Sequence, residues 1–407
     1  MYRWILLLIT LVFIFPSYAA QTKEELLKEF NKLYFSIQKE LQGKSLLEKI
    51  VLMEGKVEKH STNPIAYDTL KQILATDKSV AGDYSAALSE FEYKSKIDEL
   101  SLVNFDKYSP IEASTAISGL AKNTQIVMIN EAHHSAQHRV LTYDLLSKLW
   151  QQGFRYFAAE ALAENGEKFI TNTYVEKNAG SIYVKETTFG QMLLLAKNIG
   201  FKLVSYDYGD QSTRKQRELS AAQNIIQKIF NHDKTAKVLI HVGYSHIKEQ
   251  DGWLAEILKI KTGIDPLTIN QTDFIETANL DKEPDIYKTI VERFDVDFPF
   301  ILKSENDFWS ANKGKYDVNV VWPRTQFKGN RPVWARLNRK TEQVDSSMCD
   351  NVLPCIIEVY DSNANGAFPS DRVYLSPTRQ TSDVFISNES KYIRVMNLEK
   401  SKKLDLK

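Results

Sequence analysis

Between Met128 and Arg139 the chain reads MINEAHHSAQHR, which sets three of its seven histidines beside a glutamate and an arginine. A histidine next to a carboxylate can take a proton from water near neutral pH. The same residues can also form part of an open transition-metal site. Each has a plainer use as well. Glu131 could cap the following helix, since a carboxylate satisfies free backbone N–H groups. His133 and His134 could be polar loop residues, and His138 and Arg139 could face solvent from within that helix. Further along, Glu160 closes the nearly apolar run FRYFAAE, where an unpaired carboxylate would be costly. Asp207 ends FKLVSYD in a more polar setting, and HVGYSH supplies His241, Tyr244 and His246. His241 lies inside its run and reads as a packed core histidine.

These residues need elements to bring them together. β-type runs at 124–130, 154–160, 201–207, 236–243 and 266–270 alternate with helical stretches such as QHRVLTYDLLSKLWQQG, which closes on Gly153. That alternation predicts an α/β fold with a mainly parallel sheet and helices on both faces. Ligands of such sheets sit at the carboxyl ends of the strands. Glu131, His133, His134, Glu160, Asp207, Tyr244 and His246 all fall there, although they are scattered in sequence.

The α/β pattern occupies residues 104–300. Residues 21–103 read as helices, and GDYSAALSEFEYKSKI resembles half a tetratricopeptide repeat with no second copy, so a plain helix is expected. Residues 301–407 read as an antiparallel β module of short alternating runs, whose opening strand could instead complete the α/β sheet. Residues 1–20 have one positive charge at Arg3, an apolar stretch from Trp4 to Phe15, and small residues at Ser17, Ala19 and Ala20. This layout predicts a secretory signal peptide, and with it a periplasmic or secreted protein with no stable membrane anchor after cleavage. The only two cysteines, Cys349 and Cys355, flank turn-forming residues and are expected to form a disulfide in an exported protein. The formal net charge is zero, so nothing suggests a nucleic-acid partner or an electrostatic membrane binder, and a small-molecule or peptide substrate found by a pocket is expected.

The set VMINEAHH, FRYFAAEAL and HVGYSHI resembles the superfamily of erythromycin esterases, TIKI/TraB proteases and ChaN-like haem-binding proteins. Its pattern is a Gly-x-x-His motif after one strand, a glutamate ending the next, and a second Gly-x-x-His later. Residues 243–246 match the later motif, Glu160 matches the glutamate, and residues 130–133 match the first motif with Asn130 in place of glycine. Asparagine tolerates left-handed backbone, so the turn is expected to survive. RKQRELSAAQNI, with Arg214 and Arg217, looks like the arginine-bearing helix of many members. The resemblance spans residues 105–272. It implies a hydrolase in which Glu131, His133, Glu160 and His246 act on water and substrate. His134, Arg139, Arg217, Tyr244 and Asp207 are then substrate or oxyanion contacts. No Gly-x-Ser-x-Gly elbow is present. His133, Glu160 and His246 could alternatively hold a divalent metal such as Mn, Fe, Co or Zn. Two other readings stay open: a haem- or iron-binding protein of the ChaN type, with histidine or Tyr244 on the iron, and a non-catalytic interaction protein.

Overall fold

The computed structural model describes residues 23–91 and 104–406; the expected signal peptide lies outside the described residues. Helices come first: α1 (Lys23–Leu41), α2 (Leu46–Lys59), α3 (Pro64–Val80) and α4 (Tyr84–Glu90). Local sequence sets their starts. Ser45 and Glu48 form a reciprocal capping box on α2, and Asn63 caps α3 ahead of Pro64.

An eight-stranded sheet follows, built from β1 (Ser109–Glu112), β2 (Ile126–Glu131), β3 (Tyr156–Ala159), β4 (Lys202–Val204), β5 (Val238–Gly243), β6 (Leu267–Phe274), β7 (Phe300–Lys303) and β8 (Val318–Val321). The order across it is β1-β7-β8-β6-β2-β5-β3-β4. From β8 to β4 all neighbours are parallel, while β7 is antiparallel to both of its neighbours. β2 and β5 are buried along their whole length, as central strands covered on both faces must be. Helices α5 (Ala113–Leu120), α6 (Gln137–Gln151) and α7 (Thr187–Ile199) cover one face. Helices α8 (Arg214–Ile225) and α9 (Leu254–Thr262) cover the other, and α10 (Asp285–Phe294) packs beside β7. The α/β class predicted from the alternation is the observed one. The strands at 300–303 and 318–321 complete the main sheet, the option left open for the start of the C-terminal region.

The short ladder of β9 (Phe327–Lys328) and β10 (Arg331–Pro332) leads into an antiparallel module. There β12 (Cys355–Tyr360), β13 (Asp371–Leu375), β15 (Tyr392–Asn397) and β16 (Ser401–Asp405) form one sheet, and β11 (Lys340–Asp345) pairs with β14 (Thr381–Ile386). Val344 and Val384 of the pair share a core with Ile357, Val373 and Val395 of the sheet. Alternation along β12 turns Ile356 to the opposite face, where it meets Ile50, Leu70 and Leu74 of the N-terminal helices. The two ends of the chain therefore share a core. Cys349 and Cys355 are joined in a disulfide. No helix among the described residues is long and apolar enough to cross a membrane.

Candidate active site

β2 and β5 lie side by side with Glu131 in register with Gly243. The chain leaves β2 for β3 over one face of the sheet, through α6, and leaves β5 for β6 over the other, through α9. The path diverges between these two strands, and the carboxyl ends at such a point are where open parallel sheets take their ligands. Two charged assemblies meet there.

The inner assembly centres on Glu131, whose side chain is only 3% exposed. Arg139 holds both of its oxygens, with Nε at 2.7 Å and Nη2 at 3.1 Å. His241 Nε2 lies 2.9 Å from Oε2, and His133 Nδ1 lies 3.2 Å from Oε1. Burial acts to raise the Glu131 pKa, but Arg139 and His241 outweigh it and hold the carboxyl well below the usual range. An ionised carboxylate can only accept hydrogen bonds. In a neutral His133 the proton therefore sits on Nδ1 and the lone pair on Nε2. His241 carries its proton on Nε2 and accepts from the Thr142 hydroxyl at Nδ1, 2.9 Å away. Glu186 anchors Arg139 from behind at 2.9 Å, caps α7 through the N–H groups of Thr188 and Phe189, and accepts from the Tyr84 hydroxyl at 2.9 Å.

The outer assembly centres on Glu160, 14% exposed at its side chain. Gly243 N–H donates to Oε2 at 2.5 Å, and Arg217 pairs with Oε1 while also holding Asp207 at 2.6 Å. His246 lies between two carboxylates, with Nδ1 2.8 Å from Glu218 and Nε2 3.5 Å from Glu160. Burial would lower the His246 pKa, but Glu218 and Glu160 outweigh it and raise it, so the imidazolium is favoured. Burial would raise Glu160, yet His246 and Arg217 bring it down to about 2.

Gly243 is where the assemblies touch. A Cβ at this position would lie 2.7 Å from His133 Nε2 and 3.0 Å from Glu160 Oε2. Only glycine admits that approach. The His133 ring stacks on Tyr183 at 4.2 Å and meets the edge of Tyr244 at 4.9 Å. Tyr244 takes a φ of 37°, a left-handed conformation that costs a non-glycine residue on the order of 1 kcal/mol.

The structure brings Glu131, His133, Glu160, Arg217, Asp207, Tyr244 and His246 to one edge of the sheet. Arg139 is fully buried behind Glu131, so it does not face a ligand as a substrate or oxyanion contact would. Asp207 is spent on Arg217. His134 is buried on the wall of a separate cavity, and its ring meets the Phe91 ring edge-on. Asn130 lies in regular strand within β2 and has no left-handed backbone. Its side chain instead donates to Tyr244 O at 2.9 Å and accepts from Gln271 N–H at 2.8 Å, which ties the turn after β5 to β2 and β6.

Four further residues belong to the cluster: Glu186, Glu218, His241 and Tyr183. His241 carried a signal, because a ring with two polar nitrogens inside a wholly buried strand requires partners. Glu218 follows Arg217 directly on α8. Glu186 and Tyr183 lie in a segment with no distinguishing pattern.

The side chains do not fit a metal. Among the described residues, no group of three or more His, Cys, Asp or Glu is arranged to hold one. Arg217 and His246 already place positive charge against Glu160, where a metal ion would have to bind.

No family model matches the chain, and no curated protein matches it. Among solved structures, the type III effector HopBA1 is 15% identical over 42% of this chain and 87% of its own, with a TM-score of 0.30. ChaN of Campylobacter jejuni, a haem-binding protein, is 10% identical over 53% of this chain and 98% of its own, with a TM-score of 0.28. RRSP, a MARTX toxin effector domain from Vibrio vulnificus, is 14% identical with a TM-score of 0.28. The match covers 60% of this chain and 47% of RRSP, about half of its length. Likenesses of this strength carry no argument about what the site does.

Proposed function

We propose that this protein is an exported hydrolase that cleaves an ester or peptide bond with water activated by the Glu131–His133 pair. The observation that carries this reading is the setting of His133. Its Nδ1 lies 3.2 Å from the buried Glu131 carboxylate, and its Nε2 lies beside Gly243 and across from Glu160, so a neutral ring held this way offers Nε2 as the base. That is the arrangement in which a histidine takes a proton and a carboxylate stabilises the resulting cation.

In the proposed step, His133 Nε2 removes a proton from water as the oxygen attacks the scissile carbonyl. The oxyanion that forms lies near the His246 ring, whose protonated form Glu218 and Glu160 favour. The tetrahedral intermediate then collapses, and the proton on His133 passes to the leaving oxygen or nitrogen. Arg139, His241 and Glu186 position Glu131, while Arg217 and Asp207 position Glu160. The accessibility of the side chains fits this division. His133 and His246 keep 10 and 12% of their side-chain surface open, whereas Arg139 and Glu186 keep 1% each.

A panel of ester and peptide substrates, assayed with and without chelator, tests the proposal. Turnover that survives chelation and disappears in Glu131→Gln protein that remains folded supports it. Turnover that depends on added metal contradicts it, as does a Soret band in protein purified from its native compartment.

A further inference from the structure

We propose that a cavity on the C-terminal module is a binding site for a small soluble ligand carrying two or more acid groups, phosphates or carboxylates. The cavity holds about 730 Å³ and is lined by one face of the β13-β12-β15-β16 sheet, the start of α2 at Ser45 and Leu46, the segment 363–369 and Lys177. None of Glu131, His133, Glu160 or His246 lines it, so the inference stands apart from the hydrolase reading.

Strand register sets a row of charges along this face. Arg372 on β13 lies opposite Glu358 on β12, Glu358 opposite Arg394 on β15, and Arg394 opposite Lys403 on β16. All four residues line the cavity, and Glu358 is the one acid among its lining residues. That acid is buried and already held. Arg372 Nε donates to Oε1 at 2.8 Å, while Arg394 Nε and the Tyr360 hydroxyl donate to Oε2 at 2.7 and 2.9 Å. One carboxylate thus answers two guanidinium groups, and Arg394 still faces Lys403 across the ladder. Like charges directly opposite on neighbouring strands destabilise a sheet. The next pair on this face, Tyr360 and Tyr392, is stacked with ring centroids 4.7 Å apart. Arg394 lies over the Tyr360 ring at 5.0 Å and Lys403 over the Tyr392 ring at 4.1 Å. The two rings hold the cations in place without neutralising them.

These cations are open to a ligand. The side chain of Arg394 is 41% exposed and that of Lys403 is 50% exposed. Lys403 has an acidic neighbour in Asp405 at 3.4 Å, but that carboxylate is 82% exposed, and surface pairs of this kind contribute little. Lys177 is also exposed, and its segment is tied to the 363–369 loop through its N–H, which donates to Gly366 O at 3.1 Å. The lining residues therefore carry four cations against one anion, in a chain whose formal net charge is zero. A recess lined by one sign of charge concentrates ligands of the opposite sign. Two acid groups are specified because the exposed cations come from two places, the Arg394–Lys403 pair on the sheet and Lys177 on a separate segment.

Isothermal titration calorimetry on the full-length protein at constant ionic strength tests the site, with inorganic pyrophosphate and citrate as probes. We expect saturable one-to-one binding of at least one of them, with orthophosphate and acetate at least tenfold weaker. Affinity should fall at least tenfold in the double variant Lys177→Gln, Lys403→Gln. Both lysines are exposed, so the melting temperature should stay unchanged. The control double variant is Lys400→Gln, Lys402→Gln, which removes the same charge. Lys402 alternates to the other face of β16, and both control lysines pair with Asp350. The control should change affinity less than twofold. No saturable binding of either probe would overturn the proposal. An equal loss in the two double variants would also overturn it, as would orthophosphate or acetate binding as tightly as the probes. Capture of the protein by phosphatidylglycerol vesicles, with neither soluble probe bound, would overturn it in favour of a membrane surface.

Discussion

His133 Nε2 and Glu160 Oε2 close on a single point, the place a side chain on residue 243 would occupy. A Cβ there would sit 2.7 and 3.0 Å from them, and only 2.3 Å from His133 Cε1. Gly243→Ala must therefore push the His133 ring away from Glu160. A misplacement of about 1 Å at a reacting group costs on the order of 10²-fold in rate. The expected outcome is a loss of at least that size in kcat with an unchanged far-UV spectrum. A Gly243→Ala protein with normal turnover would show that the close approach has no role.

Glu131 and Glu160 should respond differently to loss of charge. Glu131→Gln leaves Arg139 with only Glu186 in a dry interior, and breaking such a pair costs roughly 3–5 kcal/mol. Glu160→Gln costs the fold less, because its side chain is 14% exposed and Arg217 keeps Asp207. In the transition state Glu160→Gln should cost roughly 3–4 kcal/mol, or 10²–10³ in kcat. Chemical denaturation and kinetics on both variants check this. Equal destabilisation, or full activity in folded Glu160→Gln, would refute the ordering.

Acid should weaken the fold in two stages. His134 has a folded pKa of about 3 against 6.5 unfolded, so its neutral form stabilises above pH 6.5 and that contribution is lost as pH falls toward 3. Glu160 is held at about 2 against 4.5, so its contribution is present above pH 4.5 and is lost as pH falls toward 2. His246 has the opposite sign. Its raised pKa stabilises fully below about 6.5, and that contribution is lost as pH rises through the folded value. Carbon-detected titration should place the His246 midpoint above 6.5 and show it falling in Glu218→Gln. A midpoint below 6.5 would contradict the imidazolium assignment.

Thiol labelling of the mature protein under denaturing, non-reducing conditions should find no free sulfhydryl, because Cys349 and Cys355 are joined. The loop is short, so reduction should cost roughly 2 kcal/mol and leave the α/β region folded. Two labelled thiols in freshly prepared protein would refute the pairing.

Much of this was readable from the sequence because strand ends are local features. The apolar runs ending in Glu131, Glu160 and the residues after Gly243 had to collect on one edge once the sheet was parallel. The burial of Arg139 is not legible locally, because helix periodicity places the turn it occupies while the side of that turn it faces depends on Glu131 at the end of β2 and on Glu186, 47 residues away. Asn130 was read for its backbone, but it works through its side chain, whose partners lie 114 and 141 residues away. The shared core between Ile356 and the N-terminal helices left no local trace, since pairing across the whole chain has no periodicity of its own.

The central claim is that His133 Nε2 is the base that activates water. The most direct test is kcat/KM on the best substrate of an ester and peptide panel, for wild type and His133→Asn, in chelator at neutral pH. Asparagine keeps a polar side chain but offers no basic nitrogen. The predicted result is turnover by the wild type that falls at least 10²–10³-fold in His133→Asn with the melting temperature little changed, the range set by loss of general-base catalysis. Full turnover by folded His133→Asn protein would contradict the account.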